Sequence, residues 1–375
     1  MNRLQRICFA LLLVAALAFE SDVSAGQKKK AEEMPQGAHV LWQEPTDIES
    51  RDLLVGPGGE EMRPDLSDVT FLKDESTVGY SVKFRVRDGK GRTWVAKLGN
   101  EAQPETAAVR LSWAVGYATE VNYLAPCVVI KGAPKPKKDV KRCENNGFAN
   151  VRFEARSEDV KRLDSWSWQS NHFKGTREFQ GLVVMMGLFN NWDLKDDNNK
   201  VIYVPGANGA PGELRHIVSD LGATFGKTGN FITHSRNEPE KFAKTKFVEK
   251  VEGGKVHFDL STKNSSLFDD ITVENAAWIG SLLARLSDKQ IEDAFRAANY
   301  SPEEVSLLAT ALKERIRQLN ELAGPAPAEA TAASAPTPAP TPEPTPSAPP
   351  APEPTATPEP TATPTPTPTP GSPRK

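Results

Sequence analysis

Cysteine is scarce, with three residues in a chain of 375, and histidine and tyrosine number only five each. So few cysteines exclude a disulfide-dense scaffold, and no Cys/His spacing fits a zinc site. His172, His216 and His234 stand at separations that point to no shared chemistry. An excess of one charge is also missing. The formal net charge is −3, which argues against a nucleic-acid partner, because such a partner needs a basic surface. The residues between the two ends contain no repeat, and the one long apolar run of the chain, Ile7 to Phe19, is too short to span a bilayer comfortably.

What is present begins with that run. Arg3 and Arg6 flank it, and Val23-Ser24-Ala25 supplies small residues before Gly26, the pattern of a secretory signal peptide over 1–25. An uncleaved anchor is the alternative. No Cys occupies the small-residue site, so a lipoprotein is not expected. The expectation is an exported protein, secreted or kept in the periplasm or cell envelope, with no stable membrane span after cleavage. Cys8 leaves with the leader, so Cys127 and Cys143 remain, as a bridge or as two separate buried thiols. A bridge closing so short a loop contributes about 3 kcal/mol. From 324 to 375 the chain is Pro, Thr and Ala, a composition that stays disordered and polyproline-like. It reads as a passive spacer, or as a stalk carrying glycans or crossing a cell wall.

Between these ends lie roughly 290 residues, enough for one two-lobed domain or two small ones. Residues 26–64 form an N-terminal extension, polar and frayed from Gln27 to about Glu44. Residues 65–156 read as strands: Val69–Phe71, Tyr80–Val86 and Thr93–Leu98 alternate, with Asp88-Gly89-Lys90-Gly91 as a hairpin turn. A helix starts at Pro104-Glu105-Thr106 and stops at Gly116. Tyr123–Ile130 and Phe148–Phe153 complete a sheet of about five strands. Residues 157–323 are mainly helical. Arg177–Phe189 reads as a buried helix, Val201–Val204 and Leu214–Val218 as short strands, and Ala223–Asn237 as a loop. Val256–Leu260 is a further strand. Three helices follow, from Glu274, Ser287 and Ser301, the last two with capping sequences. The fold class is therefore α+β. Trp166 and Trp168 read as packing anchors between the lobes, with sugar platforms as the alternative.

Chemistry concentrates in Asp193-Leu194-Lys195-Asp196-Asp197-Asn198 and in Asp220-Leu221-Gly222. Two carboxylates and a carboxamide at this spacing suit a hard cation bound together with phosphate oxygens. Protein kinases write the same order as H-R-D-L-x-x-x-N and D-F-G, after a strand V-A-I-K whose Lys pairs with a helix Glu. Here Val95-Ala96-Lys97 precedes Glu105 in the same way. Taken alone, Asp193 to Asn199 is also a polar turn, and Lys97 a solvated lysine. A calcium loop fits poorly, because Lys195 falls where an oxygen ligand is needed.

With those motifs the chain resembles the atypical protein-kinase-like superfamily over about residues 65–322. Asn190-Asn191 ahead of the motif is similar to HipA-like and phosphatidylinositol-kinase-like members, and the leader to secretory-pathway kinases. The resemblance implies a two-lobed kinase-like fold, a β-rich N-lobe with one helix and a mainly helical C-lobe. It implies ATP and Mg²⁺ (or Mn²⁺) as cofactors. Lys97, Glu105 and Gly79 would hold nucleotide, Asn198 and Asp220 metal, and Asp193 would act as base with Lys195 beside the transferred phosphoryl. The acceptor would be a hydroxyl on a protein, glycan or lipid.

Departures from the pattern are specific. Asn191-Trp192 replaces His-Arg, which removes a support of the catalytic loop. Leu221 replaces Phe, Gly79 stands alone where G-x-G-x-x-G is usual, and no A-P-E segment exists. These favour an alternative, a secreted pseudokinase acting as a binding or scaffold module. A cell-wall adhesion protein is a third reading, resting on the Pro/Thr tail.

Overall fold

The chain enters the fold earlier than its polar composition predicts. The computed structural model describes residues 35–76, 81–156, 160–229 and 232–324. The expected leader, the Gly79 phosphate contact and the Pro/Thr-rich segment from 325 onward lie outside them. Within the stretch expected to fray, β1 (Gly37–Val40) pairs in parallel with the strand Gly212–Val218. Its first residue must be small, since a Cβ on Gly37 would sit 2.5 Å from the Gly212 carbonyl oxygen. Leu41, Ile48 and Leu53 of the extension are buried in the main core. Four residues are too few for alternation to show in sequence, and their burial depends on a distant partner strand.

Alternation governs the next region. β2 (Val69–Asp74), β3 (Val82–Arg87) and β4 (Thr93–Leu98) form an antiparallel set. Val82, Phe84 and Val86 of β3 and Trp94, Ala96 and Leu98 of β4 point into a small apolar core. Lys83, Arg85, Val95 and Lys97 therefore take the opposite face. The β3–β4 hairpin turns on Asp88, whose carboxylate accepts from Lys90 N (3.0 Å), Arg92 N (2.8 Å) and Trp94 Nε1 (3.0 Å). After α1 (Ala102–Ala114) come β5 (Asn122–Val128), β6 (Ile130–Lys131) and β7 (Phe148–Ala155). They complete a six-stranded sheet in the order β5-β7-β4-β3-β2-β6. Cys127 and Cys143 are bridged, which decides between the two readings of that pair and ties down the excursion between β6 and β7.

The second region is built on apolar helices. A short β8 (Lys161–Arg162) leads to α2 (Arg177–Leu188), whose Thr176 N-cap accepts from Phe179 N. Nine of its twelve residues are buried, so it forms the spine of the core. β9 (Asn199–Val204) and β10 (Gly212–Val218) complete a four-stranded sheet in the order β1-β10-β9-β8. A short α3 (Pro239–Ala243) and the hairpin β11 (Val248–Glu252) and β12 (Lys255–Phe258) follow. α4 (Val273–Leu283), α5 (Asp288–Arg296) and α6 (Pro302–Glu321) close the structure. Ser287/Gln290 and Ser301/Glu304 both form the reciprocal capping boxes their spacing predicts, each cap worth about 1 kcal/mol.

The architecture is α+β, sheet-rich first and helical afterwards. Trp166 and Trp168 are packing residues, but of the second region rather than of the seam. Their rings lie 4.9 Å apart, and the Trp166 indole donates to Ile217 O at 2.9 Å. Among the described residues no helix is long and apolar enough to cross a membrane.

Candidate active site

Register brings the first site residues together. Lys83, Lys97 and Arg152 are lateral neighbours on β3, β4 and β7, so three cations share one face of the sheet. α1 lies over that face, and its Glu105 is fully buried. The Lys97 ammonium donates to Glu105 Oε2 at 2.7 Å, and the Arg152 guanidinium donates to the other Glu105 oxygen. Buried charges persist only when paired and hydrogen-bonded, and this carboxylate is satisfied on both sides.

Lys97 carries two further carboxylates. Glu101, at the start of α1, lies 3.0 Å from it, and Asp220, just past β10, donates nothing but accepts from it at 3.0 Å. Side chains from the sheet-rich region and from the helical region thus meet on one ammonium. Burial pushes the Asp220 carboxyl up, but the ammoniums of Lys97 and Lys83 outweigh it and hold it well below the usual carboxylate range. Burial, together with the nearby Lys97, lowers the Lys83 ammonium.

Asp193 reaches the same place through Asn198. The Asn198 amide donates to Asp193 O at 2.7 Å, while the Asn198 carbonyl accepts from Ser219 N (2.8 Å) and Asp220 N (3.2 Å). One residue thereby stitches the Asp193 loop to the Asp220 turn. With its nitrogen so engaged, the Asn198 side-chain oxygen is left as an acceptor. Lys195 Nζ lies 2.9 Å from Asp193 Oδ2. Burial lowers its ammonium, but the hydrogen bond and charge of Asp193 more than compensate, and the net displacement is upward.

Asp220 offers an ionised oxygen donor and Asn198, bonded to it along the backbone, a neutral one. That set fits a small divalent cation that takes one or two protein ligands and completes its shell with phosphate and water. It is not a protein cage: among the described residues no group of three or more His, Cys, Asp or Glu could hold a metal. A cavity of about 520 Å³ opens elsewhere, beside Arg51, Trp113 and Arg215.

Trp192, which stands where the resemblance expects Arg, has contacts of its own. Trp192 stacks on His234 at 3.7 Å, the Arg236 guanidinium lies 4.7 Å from the same indole, and the indole N–H donates to Ser235 O at 2.9 Å. Arg236 also pairs with Glu101, joining this stack to the Lys97 cluster.

Several participants were not visible in sequence. Glu101, Lys83, Arg152 and Arg236 carry no motif, nor does Lys263, whose Nζ lies 3.0 Å from Asp193 Oδ1, although strand alternation around Lys97 could have flagged Lys83. The histidines correct an expectation outright. His39 Nδ1 lies 2.9 Å from His216 Nε2, and the His172 ring stacks 3.9 Å from that of His39. The three come from β1, β10 and the loop before α2, which no spacing rule connects.

No protein-family model matches the chain, and no curated protein matches its sequence. Among solved structures, three similar ones are as follows. The Helicobacter pylori proinflammatory kinase CtkA is 11% identical with a TM-score of 0.42, over 69% of this chain and 96% of that one. The Golgi casein kinase with Mn/ADP bound is 11% identical with a TM-score of 0.31, over 69% and 74%. A second structure of the Golgi casein kinase is 12% identical with a TM-score of 0.30, over 68% and 74%.

Proposed function

We propose that this chain is a kinase-like phosphotransferase that moves the γ-phosphoryl group of ATP to a hydroxyl acceptor. The observation that carries the reading is the convergence of Glu105 and Asp220 within 3.0 Å of the Lys97 ammonium, with Asp220 joined through Asn198 to Asp193. Lys97 would hold nucleotide phosphates and Glu105 would orient it, with Arg152 fixing Glu105 from behind. Asp220 and Asn198 would hold Mg²⁺ or Mn²⁺, which when bound neutralises charge on the phosphates. Asp193 would orient the acceptor hydroxyl and take its proton, and Lys195 would face the transferred group. We further propose that the protein acts after export, on a protein, glycan or lipid hydroxyl, because its first residues read as a leader.

A second reading keeps the fold without the chemistry. Lys97 meets three carboxylates and Asp193 two lysines, so each already has counter-charges within the protein, as a pseudokinase scaffold would tolerate. Thermal-shift titration with ATP and Mg²⁺ or Mn²⁺ tests nucleotide binding. A shift in the wild type that vanishes in Asp220→Asn is expected, and no wild-type shift would refute the proposal. ADP release that survives in Asp193→Asn at wild-type rate would refute the assigned base.

A further inference from the structure

The segment Thr262-Lys263-Asn264 is bonded along the backbone of the Asp193 loop. Thr262 Oγ1 donates to Asn191 O at 3.1 Å, Lys263 N donates to Trp192 O at 3.1 Å, and Asn264 Nδ2 donates to Leu194 O at 2.8 Å. Asn264 holds a left-handed conformation, φ 55°, which Asn tolerates better than most residues and which turns the chain away after the third bond. Consecutive residues thus read consecutive stretches of the loop on which Asp193 stands.

The bracket delivers Lys263 Nζ to 3.0 Å from Asp193 Oδ1, while Lys195 Nζ occupies the other oxygen at 2.9 Å. One negative carboxylate therefore faces two positive ammoniums, and the excess charge is positive. The Lys263 contact lacks the alignment of a hydrogen bond, since Asp193 Oδ1 has no such partner. Its ammonium keeps donors for another group. Both lysine side chains are about half exposed, at 51% and 45%, so their pairing contributes little to stability.

We propose that Lys263 is a catalytic residue, a second cation that with Lys195 contacts the phosphoryl group during transfer. This rests on the phosphotransfer reading above. The acceptor oxygen bonds to the γ-phosphorus and its proton passes to Asp193. The bond to the bridging oxygen breaks, and its electron pair stays on ADP. Charge on the equatorial oxygens meets both ammoniums, an interaction made more strongly in the transition state than in bound ADP.

The test measures Mg·ADP affinity, and its tightening by aluminium fluoride, for wild type, Lys263→Met and Lys263→Arg. ADP affinity should stay within about twofold in all three, because Lys263 contacts Asp193 and not the Lys97 and Asp220 side chains assigned to nucleotide and metal. The tightening by aluminium fluoride should fall about tenfold in Lys263→Met and return in Lys263→Arg. Equal tightening in wild type and Lys263→Met would overturn the assignment. So would loss of ADP affinity together with the fluoride effect in Lys263→Met, which would mark Lys263 as structural. Failure of the wild type to bind Mg·ADP would instead sink the phosphotransfer reading and this assignment with it.

Discussion

Acidification should loosen the fold at His216. Its ring is 4% exposed, lies near Phe173 and Trp166, and has a buried Nδ1 without a partner. Burial, reinforced by His39 and His172, pushes the imidazole down from 6.5 to about 4. His39 is lowered in the same direction, chiefly by burial and further by His172. A depressed histidine is held neutral in the folded state, whereas the unfolded chain takes up its proton near pH 6.5. Its contribution is therefore complete above pH 6.5 and is lost as pH falls toward 4. The interval of about 2.5 pH units sets a ceiling of about 3.4 kcal/mol, at 1.36 kcal/mol each. Solvent screening brings the expectation to about 2 kcal/mol. Urea unfolding at pH 7.5, 6.5, 5.5 and 4.5 measures it, with His216→Phe as comparison, since the surroundings accept an aromatic ring. The wild type should lose about 2 kcal/mol more than the variant between pH 6.5 and 4.5. Parallel losses in both proteins would refute the argument.

Lys97→Met should destabilise the protein by about 3 kcal/mol, because Asp220 and Glu101 lose a buried counter-charge while Glu105 keeps Arg152. Chemical denaturation gives the loss, and a persistent Mg·ATP thermal shift in this variant would exclude Lys97 from nucleotide binding. Trp192→Ala removes the surface against which His234 and Arg236 pack. Amide exchange across 232–237 should then accelerate while exchange in α2 stays slow, and unchanged exchange at 232–237 would show that the stack does not hold that segment. Cys127→Ser with Cys143→Ser should cost about 3 kcal/mol in non-reducing urea unfolding. A loss below about 1 kcal/mol would mean that the excursion is held by its other contacts.

Local physics was legible from the residues. Alternation located β3 and β4 and so the face of Lys97, the apolar run located α2, and the capping boxes located α5 and α6. The order Lys97, Glu105, Asp193, Asn198, Asp220 also anticipated which side chains would be neighbours, because each sits at an element end whose position the fold sets. What escaped notice depends on pairing between distant segments. β1 is too short to show a period, and the three histidines meet only once β1 has paired with β10. Lys263 follows no motif, and its relevance comes from backbone bonds to the Asp193 loop. Glu101 and Glu105 both lie close to Lys97 in sequence, and only burial shows that the ammonium takes both.

β1 also sets a rule for trimming the chain. It is the outermost member of its sheet and covers one side of β10, the strand that runs directly into Asp220. Cutting ahead of Gly37 spares this cover, whereas cutting after Val40 strips it and bares a row of peptide groups ready to recruit a foreign strand. A recombinant version begun a few residues too late would therefore be sticky as well as weakened, and the damage would start one strand away from Asp220.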